Sequence, residues 1–66
     1  MPAELTHVDI TTLLTEHYRR MYLGVRAAYD ASRRVYVVSG RVLAQPMIVR
    51  RAEALEIATR ANRLRV

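Results

Sequence analysis

Arg33-Arg34-Val35-Tyr36-Val37-Val38-Ser39-Gly40-Arg41-Val42-Leu43-Ala44 is the stretch that separates a mixed fold from an all-helical one. Its first half is dense in β-branched and aromatic side chains, which sit well on a pleated, half-buried surface. Ser39-Gly40 supplies a two-residue turn signal, and Arg41 to Ala44 reads as a returning strand. Pairing across that turn sets Val37 opposite Val42 and Val35 opposite Ala44 on one face. The other face receives Tyr36 opposite Leu43, with Val38 and Arg41 beside them. Both faces are partly apolar, and a two-stranded ribbon is marginal in water by itself. One face therefore calls for a helix and the other for a second cover. Pro46 has no amide donor and confines its stretch of chain to an edge or a bend. Met47-Ile48-Val49 fit a short third strand, since a long helix opened by Pro46 would scatter them around its circumference.

Upstream of the hairpin, residues 10–31 carry a helical period. Ile10, Leu14, Tyr18, Met21, Val25 and Tyr29 recur on one face at 100° per residue. Asp9 is the expected N-cap, with Thr11 and Thr12 as competitors. Residues 1–9 form an N-terminal arm without a clear period. Downstream, residues 51–62 form a second helix with Ala54, Leu55, Ile57, Ala58 and Ala61 on its apolar side and Asn62 as cap. The expectation is one small α+β domain over residues 1–66, in two layers. Its order is a long helix at 10–31, a hairpin sheet at 34–49 with a short third strand, and a helix at 51–62.

Composition narrows the chemistry. The 66 residues contain no cysteine, which removes disulfides, thiolate metal sites and thiol catalysis. Apolar residues reach 52%, enough for a core, and no apolar run approaches the ~20 residues of a membrane-spanning helix. Glu4 and Asp9 stand where a secretion signal would be basic, so a cytoplasmic setting is expected. His7 and His17 lack metal-ligand spacing, and there is no glycine-rich phosphate loop, nucleophile elbow or paired-carboxylate arrangement. The expectation is a non-enzyme without cofactor or metal.

Every basic side chain other than histidine is arginine, and net charge is +5. Arginine without lysine, beside nine alanines, suggests a GC-rich bacterial, phage or plasmid source. Guanidinium is permanently charged and grips phosphate or carboxylate through two parallel bonds. The candidate anion-binding residues are Arg33, Arg34 and Arg41 around the hairpin, and Arg50 and Arg51 at the start of the second helix. Cations there oppose the helix dipole unless an anion sits on the helix end. Tyr36, on the hairpin, is the candidate stacking or wedge residue. Gly24 with Ala28, four apart, would let another helix approach, and Leu23 points off the apolar stripe. With the outer hairpin residues Tyr36, Val38 and Leu43 they form a candidate protein interface, for example of a homodimer.

Gly40, Val42-Leu43, Arg50-Arg51, Ala54 and Ala58 resemble in spacing the C-terminal half of double-stranded RNA-binding domains. That resemblance covers residues 35–61 and implies the order helix, three strands, helix, with basic residues opening the last helix. The chain departs from it in having no lysine and no Gly-Pro-x-His loop. Met1-Pro2 ahead of a long helix also looks like small tautomerases, which use an N-terminal proline as base. Residues 3–10, however, make a poor strand, and the C-terminal half reads as helix where that family has hairpins. The reading is therefore a small basic, non-catalytic protein that contacts nucleic acid through arginine–phosphate bonds. Its rival is a phage- or plasmid-type modulator that docks on an acidic host protein.

Overall fold

A computed structural model describes residues 5–64; residues 1–4 of the 1–9 arm, including Pro2, lie outside them. The chain is an α+β two-layer domain: α1 (His7–Arg19), β1 (Arg26–Asp30), β2 (Val35–Ser39), β3 (Met47–Arg50) and α2 (Arg51–Leu64). The three strands form one antiparallel sheet in the order β1-β2-β3.

α1 begins three residues earlier than the periodicity suggests, because Thr6 rather than Asp9 is its N-cap. Asp9 N–H donates to Thr6 Oγ1 at 3.2 Å, and Thr6 N–H donates to the Asp9 carboxylate at 3.0 Å, a reciprocal capping box. The bond from the Thr6 amide, then that from its side chain, holds the Asp9 carboxyl below its ordinary value.

The helix expected to reach residue 31 stops at Arg19. Arg20 caps it, and Gly24, at φ +70, turns the chain into β1. An L side chain is disfavoured in that left-handed conformation, so the glycine reverses the chain rather than thinning a helix face. Beyond it Val25 and Ala27 are buried while Arg26 and Ala28 are exposed, which is the alternation of a strand.

The Ser39-Gly40 hairpin is also replaced. β2 pairs with β1 (Ala28↔Val37, Asp30↔Val35) and with β3 (Val37↔Ile48, Val35↔Arg50), not with residues 41–44. Gly40 is needed for close approach: a Cβ there would lie 3.0 Å from both Val25 Cα and Cγ1. Residues 40–43 close a turn, with Leu43 N–H donating to Gly40 O at 3.1 Å. The third strand begins directly after Pro46, as expected.

One sheet face meets both helices. Ala27, Tyr36, Val38 and Val49 are buried there with Ile10, Leu13 and Leu14 of α1 and Ala54 and Ala58 of α2. Ala54 and Ala58 of α2 are fully buried, and these small residues let α2 pack closely against α1. Leu14 is completely buried, and truncation to Ala would cost about 2–5 kcal/mol through lost transfer energy plus the cavity left behind. α1 is also stitched to the outer side of β1. Thr15 Oγ1 accepts from Ala27 N–H at 3.0 Å, and Arg19 Nε donates to Val25 O at 3.0 Å.

Candidate nucleic-acid interface

The alternation that buries Tyr36 and Val38 sends their neighbours to the opposite face, which no element of the described chain covers. That face consists of three cross-strand rows: Arg26 with Ser39, Ala28 with Val37 and Ile48, and Asp30 with Val35 and Arg50. Ile48 is 48% exposed, Ala28, Arg26 and Arg50 are exposed, and Val35 and Val37 are half-buried. An apolar centre is thus flanked by a guanidinium on each outer strand.

Register brings four of the five predicted arginines to one end of this sheet. Val35 pairs with Asp30 on one side and Arg50 on the other, so the β1–β2 turn (residues 31–34) and the β3–α2 junction are adjacent. Arg33 and Arg34 lie in that turn, Arg50 ends β3 and Arg51 starts α2 with no residue between. Arg41 is separated from them, in the 40–43 turn at the far end of β2. Arg26 stands on the open face beside Ser39.

Asp30 organises the 31–34 turn. Its carboxylate accepts from Ser32 N–H at 3.1 Å, Ser32 Oγ at 2.7 Å, Arg33 N–H at 3.3 Å and Arg33 Nε at 2.7 Å. These bonds, the Arg33 guanidinium foremost, hold its carboxyl at about 2. Arg34 closes the turn at φ 56, a conformation that costs a side-chain-bearing residue about 1–2 kcal/mol. Among the described residues Arg34, Arg50 and Arg51 make no ion pair.

Charge is segregated between the two layers. Among the described residues the sheet and its turns carry Arg26, Arg33, Arg34, Arg41 and Arg50 against one acid, Asp30, already bound by Arg33. The other acids among the described residues, Asp9, Glu16, Glu53 and Glu56, all lie on the helices.

Tyr36 corrects the sequence reading. Its ring is fully buried, so it is closed to a base and cannot act as a stacking residue or wedge. His7 Nδ1 lies 3.0 Å from its hydroxyl, and the His7 ring stacks on Tyr29 with centroids 4.0 Å apart. Burial first, then Tyr29, pushes the Tyr36 phenol above its ordinary value, against the opposing pull of Arg51.

The expected outer patch is likewise turned inward: Val38 is fully buried and Leu43 packs against the core. Gly24 lies in a turn and offers no helix face, while Leu23 beside it is 84% exposed. Gly40 packs on Gly24 and Val25, which sets the 40–43 turn against the turn that carries Met21 and Leu23. A hollow of about 180 Å³ between α1 and α2, lined by Glu16, His17, Arg20, Ile57, Arg60 and Leu64, lies in the helical layer. It is smaller than the ~300 Å³ at which small-molecule sites begin. Among the described residues no helix is long and apolar enough to cross a membrane. Comparison with protein-family models, curated proteins and solved structures finds no match to this chain.

Proposed function

We propose that this chain is a non-catalytic nucleic-acid-binding domain that grips phosphates with Arg33, Arg34, Arg50 and Arg51. The observation that carries the reading is their common position at one end of the sheet, where the strands and turns hold a single, already bound carboxylate, Asp30. Arg34 adds to it. A turn position at φ 56 is cheaper for Gly or Asn, so the presence of arginine there is consistent with a use for its charge. Contacts of this kind supply affinity with little sequence preference. The helix–three strands–helix order matches what the resemblance to double-stranded RNA-binding domains implies, but fold order alone does not assign a partner.

The test is a salt series. Four phosphate contacts on a duplex give a log–log slope of about −3.6, against about −2.8 on a single strand. Replacing Arg50 and Arg51 with Ala reduces the duplex slope by about 1.8. Absence of binding to any nucleic acid at low salt, or a flat salt response, rejects the reading.

A further inference from the structure

We infer that the uncovered sheet face docks in the major groove of a B-form DNA duplex. This inference rests on the nucleic-acid reading above and names the form of nucleic acid the surface takes. With strands about 4.8 Å apart, β1 and β3 run about 10 Å from each other, and the major groove is about 12 Å wide. Laid along the groove, the sheet spans it from wall to wall, with the outward side chains of the open face directed into it. Arg26 on β1 and Arg50 on β3 are then carried to opposite phosphate walls, since they stand on the two outer strands and at opposite ends of the face. Arg34 in the 31–34 turn and Arg41 in the 40–43 turn place a cation at each end of the sheet.

Between the walls lies the row Ala28–Val37–Ile48, short side chains that let the sheet floor approach the base edges. The apolar group presented there by DNA is the thymine C5-methyl. Two alternatives fit the same surface worse. A-form RNA closes its major groove to side chains and presents 2′-hydroxyls across its shallow minor groove, polar groups for which the row Ala28–Val37–Ile48 has no hydrogen-bonding side chain. A single strand calls for aromatic platforms on the binding face. Tyr29 and Tyr36 both lie on the inner face, and among the described residues the strands place no aromatic side chain on the outer face.

The experiment measures binding of the full chain at low salt to a short DNA duplex of mixed sequence, the matching RNA duplex and the single DNA strand. Dimethyl sulfate footprinting and a duplex with uracil in place of thymine accompany it. The expected result is preference for the DNA duplex, protection of guanine N7 in the major groove, and about fourfold weaker binding for each contacted methyl removed. Ile48→Asp, on the open face, lowers duplex affinity at least about tenfold by setting an acid against the DNA. Circular dichroism verifies that the variant is folded, and the uracil duplex asks the same question without altering the protein. Equal or tighter binding to RNA or the single strand, guanine N7 left reactive at saturation, or no effect of uracil overturns the groove assignment and leaves the arginine–phosphate reading standing. No binding to any of the three overturns both.

Discussion

Arg34→Gly separates the stability of the fold from its affinity, in opposite directions. At φ 56 the arginine occupies a conformation that costs an L-residue about 1–2 kcal/mol, whereas glycine adopts it without a steric penalty. Glycine's extra freedom in the unfolded chain returns about 0.4–1 kcal/mol of that gain. Arg34 is exposed and makes no ion pair among the described residues, so little else is lost. The net expectation is a stabilisation of about 0.5–1 kcal/mol. For a domain of this size that corresponds to a rise in Tm of about 2–8 °C. The same change removes one phosphate contact, so the duplex salt slope becomes shallower by about 0.9. Arg34→Ala is the control: it loses the charge while keeping a Cβ in the left-handed region. Thermal melts and a salt series on all three proteins decide between the outcomes. If Arg34→Gly melts no higher than Arg34→Ala, the turn is not strained. If both variants keep the parental slope, Arg34 does not touch phosphate.

Thr15→Val keeps the shape of the side chain but leaves the Ala27 amide without its acceptor, at a cost of about 1–3 kcal/mol by urea unfolding. Thr15→Ser restores most of that loss, and a Val variant as stable as the parent would show that the bond is not needed. Gly40→Ala forces a methyl to within 3.0 Å of Val25 and costs about 1–3 kcal/mol, read as a drop in the denaturation midpoint. An unchanged midpoint would mean that the backbone there has room. Asp30 titrates at about 2 in the fold, held down by Arg33 and Ser32, against about 4 when unfolded. Its stabilising effect is therefore complete above pH ~4 and lost as pH falls toward 2. Asp30→Asn should flatten the stability profile across that window, and an identical acid profile in the variant would show that Asp30 does not stabilise the turn.

The elements decided by local chemistry were legible in the sequence. Val35–Ser39 is a strand because its β-branched residues fit little else, and Arg51–Leu64 is a helix with small residues on one side. Residues 21–31 satisfied two periods at once. Met21, Val25 and Tyr29 fit a helix, while Val25, Ala27 and Tyr29 fit a strand, and pairing with the distant β2 decided between them. Gly24 carried that decision, yet a sequence shows only that glycine is present, not that its φ is positive. Gly40 misled in the same way, since its missing side chain makes room for Val25 rather than for a tight hairpin. The arginine pairs were visible, but their meeting at one end depends on the register of Val35 with both neighbours. Tyr36 was lost on parity: which side of β2 is covered depends on where the two helices pack.

The stitching of α1 along β1 reaches beyond the stability of the monomer. An open sheet presents two borders of unpaired amides and carbonyls, each able to recruit a strand from another molecule. Here Thr15 and Arg19 occupy the Ala27 amide and the Val25 carbonyl on one border. The other border is only four residues long, hemmed in by Pro46 before it and a helix directly after it. A small domain with a bare, partly apolar sheet face thereby limits strand addition at its borders while leaving the face itself open.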